Sequence, residues 1–158
     1  ILNKNKFDII NLTENVFEML EFTAKKKKIK LTVNKDKGLK TKVIADKEKI
    51  EQVLTNLIDN SIKYGKDYGT TEIVIQSLNE DKIIVRVTDN GVGFKKENYT
   101  RIFERFFRVD RSGSRSAGGS GLGLAIVKHI IDAHDEKIYV ESEFGVGSEF
   151  SFTLEKSK

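Results

Sequence analysis

An α/β two-layer sandwich, a mixed β-sheet with about three helices packed on one face, is the fold class this sequence predicts. Three observations predict it. Alternating apolar segments stand at the front, in the middle and at the end of the chain, and three substantial helical patterns are interleaved with them. The 158 residues suit a single domain long enough to bury a real core. A 38% hydrophobic fraction beside 33% charged residues is that of a soluble globular protein.

Taken in order, Phe7, Asp8, Ile9 and Ile10 predict a short apolar strand, with Asn11 and Glu14 as a capping pair for the helix after it. Leu12, Val16, Met19, Leu20 and Thr23 then follow helical spacing as core packing. Residues 29–33 alternate as a strand, 34–40 read as a polar loop, and Val43, Ile44 and Ala45 form a short strand leading into Asp46 as a helix N-cap. The helix that follows, 46–64, carries Ile50, Val53, Leu54, Leu57, Ile58 and Ile62 on one arc, and residues 65–69 end it. Strands are expected over 72–77 and 82–89, joined by a turn at Asn79, Glu80 and Asp81. A glycine-bearing loop, a short aromatic helix over 102–107, a Ser, Gly and Arg loop over 108–120 and a strongly apolar helix over 122–133 come next. Residues 138–142 and 148–154 close the chain as an antiparallel hairpin with Phe150, Phe152 and Leu154 on one face. The turn between them, Gly145-Val146-Gly147, needs positive φ and is read as structural.

The composition excludes several classes. No Cys is present, so there is no disulfide framework or thiolate metal site, and two His are too few for most metal clusters. No apolar run approaches about 18 residues, so this stretch is not expected in a membrane, and no secretion signal opens it. The formal charge is +4, but 24 acids are scattered among the basic residues without aromatic stacking partners, so no nucleic-acid partner is expected. The run Lys25 to Lys28 reads as a solvated helix end, favoured there by the macrodipole. His129, on the exposed side of the last helix, and His134, at its end, read as structural.

Four features point to chemistry. Gln52, Asn56, Asn60 and Lys63 share a face of the 46–64 helix, and Asn is a poor choice for a merely solvated helix position, so this row of amides is expected to read a ligand. Asp89 falls on the same inward face as Ile83, Val85 and Val87, and a buried carboxylate needs donors from the protein or from a ligand's N–H groups. Gly91 and Gly93 follow it and let backbone approach a flat ring. Gly118, Gly119, Gly121 and Gly123 immediately open the last helix, where freed amides and the dipole make a phosphate site; this is neither a Rossmann fingerprint nor a Walker loop. Arg101 and Arg111 read as solvated, while Arg105 and Arg108, flanking the loop, are candidates to face phosphate.

In this order the blocks Asn56 to Tyr64, Asp89-Asn90-Gly91-Val92-Gly93-Phe94, Ile102 to Arg108 and Gly119-Ser120-Gly121-Leu122-Gly123-Leu124 resemble the N box, first glycine box, F box and second glycine box of the ATP-binding catalytic domain of bacterial sensor histidine kinases. That domain lies in the superfamily shared with gyrase, MutL and the ninety-kilodalton heat-shock chaperone. The resemblance covers nearly the whole chain, and the segment 112–129 is nearest in feel to sensors of the phosphate-regulon type. It implies that Asp89 reads the adenine amino group, Asn60 holds Mg²⁺, Asn56 lines the phosphate side, Lys63 touches the phosphates and Tyr64 packs near the base. It further implies an ATP lid at about 108–118 and a triphosphate cradle from Gly119, Ser120, Gly121, Leu122, Gly123 and Leu124, with Gly91, Gly93 and Phe94 along the base. Departures are Phe94 for an aliphatic residue, Ser61 for Ala, Ser120 for Thr, and Asp135-Glu136 for the usual glycine pair.

Asn56 discriminates within that superfamily. Where gyrase-like and chaperone-like members keep a Glu as base toward water, an Asn cannot take the proton, and base assistance is worth about 10²–10⁴ in rate. The reading is therefore a histidine kinase catalytic domain using Mg-ATP. Its alternatives are a protein-serine kinase of the anti-sigma type and an ATP-sensing module without transfer. The resemblance implies that the acceptor His sits on a separate dimerisation domain, with residues 1–6 as the connecting linker and 7–158 as the catalytic domain. It also implies a homodimeric parent, anchored in the inner membrane with this domain cytoplasmic, and a response regulator reached through the dimerisation domain.

Overall fold

The computed structural model describes residues 1–99, 101–104 and 123–158. Its elements run β1 (Asn5–Asp8), α1 (Ile9–Lys26), β2 (Lys30–Lys35), β3 (Lys42–Ala45), α2 (Lys47–Lys63), β4 (Thr70–Ser77), β5 (Lys82–Asp89), one 3₁₀ turn (Lys96–Asn98), α3 (Gly123–Ala133), β6 (Ile138–Glu143) and β7 (Gly147–Lys156). The seven strands make one sheet in the order β1-β3-β7-β5-β4-β2, with β6 also on β7. Among the described residues only β2 and β4 pair in parallel, and the connection between them runs through β3 and α2. Three helices pack against this mixed sheet, as the alternation of patterns predicts.

α2 is the centre of the helical layer, with α1 and α3 packed on it. Asp46 caps it as expected, its carboxylate accepting the Lys49 N–H at 3.3 Å. Ile50, Leu54, Leu57 and Ile58 are fully buried on its inner side, over Ile73 and Ile75 of β4, Val85 and Val87 of β5, and Phe152 of β7. Each such side chain contributes about 1.5–3 kcal/mol by leaving water. β7 pairs with β5 along its length, from Asp89 opposite Ser148 to Lys82 opposite Glu155, which sets the end of β5 beside the β6–β7 turn.

Several local expectations are corrected. The first strand ends at Asp8, and α1 begins at Ile9; Asp8, not Asn11, is its N-cap, accepting the Ile10 N–H at 2.8 Å. Met19 is 55% exposed, because the stripe that α1 buries is Ile9, Leu12, Thr13, Val16 and Ala24. Asn5 and Lys6 pair with Ala45 and Ile44, so the last two residues of the expected linker lie in the sheet. Of the expected aromatic helix, Ile102, Phe103 and Glu104 lie in a turn, and 105–107 lie outside the described residues.

Asp135 takes φ +56°, and the Asp135 and Glu136 N–H groups bond to Asp132 and Ile131 O. Asp here does what glycine usually does in such a helix end. Glu136 behind it is buried, accepting from Thr153 Oγ1 at 2.7 Å and pairing with Lys82 at 2.6 Å. His134 is structural as read, its Nδ1 at 2.9 Å from Ile130 O and its Nε2 accepting the Asp46 N–H at 3.1 Å.

Candidate functional site: the amide face of α2 and the carboxylate at the end of β5

The inward pull of Leu57, Ile58, Ser61 and Ile62 turns Asn56, Asn60 and Lys63 onto one half-buried face of α2, while Gln52, a turn earlier, is exposed. The Asn56 Nδ2 donates to the carbonyl of Gly123 at 3.4 Å, joining α2 to the start of α3. Lys63 pairs with Asp59 at 3.0 Å. Among the described residues, the Asn60 amide has no hydrogen-bond partner. A half-buried amide without a partner is a group left for something else to satisfy.

Asp89 lies at the end of β5, half-buried as the strand period predicts. Its Oδ1 accepts N–H groups from Gly91 at 2.9 Å and Ser148 at 3.3 Å. Burial pushes its carboxyl above the usual carboxylate range, while the Gly91 and Ser148 N–H groups and the Ser61 hydroxyl act against that push. Ser61 is also hydrogen-bonded to Thr71 across 2.7 Å, both fully or nearly fully buried. Because Ser61 adjoins Asn60 in α2, Asp89 sits beneath the stretch of helix that carries the unpartnered amide.

The loop after Asp89 is held on both sides. Val92 N–H bonds to the Tyr64 carbonyl at 3.1 Å, and Gly145 N–H bonds to the Val92 carbonyl at 2.6 Å. A Cβ on Gly91 would lie 2.2 Å from Tyr64 O, and one on Gly93, whose φ is +65°, would lie 2.1 Å from Glu143 O. In sequence these glycines suit the approach of backbone to a ring; in the fold both are required by contact of backbone on backbone. Phe94 likewise packs inward, 5% exposed, with its ring 5.5 Å from Tyr99 and 6.3 Å from Phe150. Gly123 is the opposite case: a Cβ there would meet Asn56 Cγ at 3.8 Å, an ordinary contact, so nothing in the described packing demands glycine at that point.

The site therefore brings together Asn56, Asn60, Lys63, Tyr64, Asp89, Gly91 and Gly93, with Gly123 and Leu124 where α3 begins against Asn56. Arg105, Arg108, Gly119, Ser120, Gly121 and Leu122, and the expected lid at 108–118, lie outside the described residues. Ser148 and the β6–β7 turn were not anticipated as part of the site's frame. The signal was the turn's glycines, which only the strand register places beside Asp89.

Among the described residues, no group of three or more His, Cys, Asp or Glu could hold a metal ion. Asn60 nevertheless fits Mg²⁺, because a hard cation takes an amide oxygen and draws its remaining oxygens from phosphate and water. Among the described residues no helix is long and apolar enough to cross a membrane.

The chain's residues 45–158 match the family model described as histidine kinase-, DNA gyrase B- and HSP90-like ATPase. The sensor histidine kinase WalK of Bacillus subtilis (strain 168) is 34% identical over 96% of this chain, which spans 25% of that kinase. Among solved structures, the catalytic domain of the histidine kinase ThkA superposes with a TM-score of 0.83 at 29% identity, covering 99% of this chain and 100% of that domain. ThkA in complex with the response regulator TrrA gives 0.78 at 28% identity, over 98% of this chain and 42% of ThkA. Full-length ShkA in complex with AMPPNP gives 0.86 at 28% identity, over 99% of this chain and 32% of ShkA. With the family model matched over most of its length, this chain belongs to the histidine kinase-, DNA gyrase B- and HSP90-like ATPases, as an ATP-binding catalytic domain of the sensor histidine kinase type.

Proposed function

We propose that this site holds Mg²⁺·ATP and presents its γ-phosphoryl group to a histidine on a separate dimerisation domain of the same parent. The observation that carries the reading is the pairing of a half-buried carboxylate, Asp89, with the unpartnered amide of Asn60 one residue from Ser61, which Asp89 touches. Asp89 accepts the amino N–H of adenine, and Tyr64 borders the base. Asn60 supplies its amide oxygen to Mg²⁺, which when bound offsets charge on the phosphate oxygens. Lys63, freed from Asp59, adds a second cation, and Asn56 lines the phosphates. The amides at the start of α3 receive the triphosphate, with Gly119, Ser120, Gly121, Leu122, Gly123 and Leu124 as its cradle, the 108–118 segment as lid, and Arg105 and Arg108 facing phosphate.

Asn56 favours transfer over hydrolysis. An amide takes no proton from water, and here its N–H₂ is directed to Gly123 O. A neutral imidazole needs no base, so positioning and charge neutralisation suffice. ThkA's complex with TrrA supports a response regulator as downstream partner, reached through the phosphorylated histidine. The parent is proposed as a homodimer anchored in the inner membrane, with this domain in the cytoplasm. The relatives described above are sensor histidine kinases, which favours this reading over a serine kinase of the anti-sigma type.

Equilibrium titrations with ATP, ADP and GTP, each with and without Mg²⁺, test the reading. ATP and ADP are expected to bind, Mg²⁺ to tighten ATP, and GTP to bind at least about tenfold more weakly, as a misread hydrogen-bonding edge requires. Equal binding of GTP and ATP would remove Asp89 from base recognition, and no nucleotide binding at all would end the proposal.

A further inference from the structure

We infer that Lys27 is a positioning residue for the nucleotide site, fixing the carboxyl-terminal turn of α2 and, through Tyr64, the glycine loop after Asp89. This rests on the nucleotide reading above. Lys27 belongs to the four-lysine run that reads in sequence as a solvated helix end, and three of the four are indeed exposed. Lys27 is not. Its Nζ donates to the carbonyls of Ile62 at 3.1 Å, Lys63 at 2.6 Å and Gly65 at 3.2 Å.

The geometry matches donor to acceptor. An ammonium has three N–H bonds and meets three carbonyls at the negative end of a helix, where a cation is favoured and where orphan carbonyls need partners. Lys27 is itself held: Lys28 takes φ +56°, Ile29 N–H bonds back to Ala24 O at 3.0 Å, and the Lys27 carbonyl accepts the Tyr68 N–H at 2.9 Å. α1 therefore ends in a fixed reversal that delivers this side chain beneath α2.

The carbonyl between those three, that of Tyr64, faces the other way and accepts the Val92 N–H at 3.1 Å. Gly91 is pressed against the same oxygen, and a Cβ on Gly65 would lie 2.9 Å from both Ser61 O and Ile29 Cδ1. The turn has little slack, so ammonium on one side and glycine loop on the other fix the Tyr64 peptide together. Without the ammonium, the Lys63 and Gly65 peptides are free to rotate. Tyr64 O then loosens its hold on Val92, the residue after Gly91, whose N–H is the loop's contact with Asp89.

The test compares the parent chain with Lys27→Met, Lys27→Arg and, as a control for lost stability on the same helix, Val16→Ala. ADP affinity is measured by titration calorimetry and exchange of the Val92 amide by nuclear magnetic resonance without nucleotide. Lys27→Met is expected to weaken ADP by about fivefold or more, the lower end of coupling between linked sites, and to speed Val92 exchange. Lys27→Arg, which keeps charge and donors, recovers most of both, while Val16→Ala destabilises the fold and leaves ADP affinity unchanged. The inference is overturned if Lys27→Met binds ADP within about twofold of the parent, the range of independent sites, or if Val16→Ala loses as much. A parent chain that binds no ADP overturns the nucleotide reading and this inference with it.

Discussion

Replacing Asp89 by Asn is expected to separate binding from folding. In the parent, Oδ1 accepts the Gly91 and Ser148 N–H groups at 2.9 and 3.3 Å, and an Asn with its carbonyl in the same place keeps both. What changes is the other atom, from acceptor to N–H₂ donor. Burial holds the folded-state carboxyl above its ordinary 3.8, so the folded protein keeps this proton to a higher pH than the unfolded chain does. Asp89 therefore lowers stability as pH rises from 3.8 to the raised value, and that deficit persists at neutral pH.

The neutral Asn escapes the deficit, so the variant should melt no more than about 2–4 °C below the parent, the equivalent of 1 kcal/mol at this size, or above it. Binding is another matter. A charge-assisted hydrogen bond to the base is lost, about 1.5–3 kcal/mol, and a donor now opposes the adenine amino group, about 1–3 kcal/mol more. Together these amount to about 10²–10⁴ in Kd. Titration calorimetry with ADP beside a thermal melt reads both quantities. An ADP affinity within about threefold of the parent, or a loss of folding as large as the loss of binding, would show the reasoning to be wrong, since about 1.4 kcal/mol corresponds to tenfold.

Asn60→Ala should weaken Mg²⁺·ATP far more than it lowers the melting temperature, because the amide has no partner within the described fold; equal losses in titration and melt would make the amide structural. Gly123→Ala should leave the melting temperature unchanged or raise it, given the ordinary 3.8 Å contact with Asn56 and the better helix propensity of Ala, up to about 1 kcal/mol, while ATP affinity falls about tenfold or more if backbone there meets phosphate; unchanged affinity would take Gly123 out of the cradle. Asp46→Ala should cost about 0.5–2 kcal/mol at neutral pH, as lost N-caps do. The Asn3 N–H, foremost, holds the Asp46 carboxyl below 3.8, so the part of this stabilisation that rests on the charge is present above 3.8 and is lost as pH falls through the lowered value. Denaturant melts of parent and variant should draw closer in acid, and a difference as large there as at neutral pH would contradict the part of the cap that rests on the charge.

The central helix was legible because two independent patterns agree on it: an apolar arc of fully buried residues and a capping Asp before the first turn. Asp89 was legible because a strand's period of two carries the inward face from Val87 to it. The start of α1 was not, since the adjacent β-branched Ile9 and Ile10 look like strand, while the Asp8 cap acts on the next residue but one. Met19 looked like core because helical spacing fixes a face but not how much of it a neighbour covers. Lys27 could not be told from its neighbours in the run, because the choice depends on the φ of Lys28 and on where α2 ends. The glycines of the first box stand out in sequence, but the reason for them in the fold is tertiary: the carbonyls they avoid belong to the end of α2 and to the β6–β7 hairpin.

The most direct measurement supplies this domain, Mg²⁺ and γ-labelled ATP to the dimerisation domain of its own parent and follows the label. The account predicts acid-labile, base-stable label on a histidine of that domain, with slow release of free phosphate by the catalytic domain alone. ATP bound tightly while label passes only to water, or to a hydroxyl side chain, would contradict it.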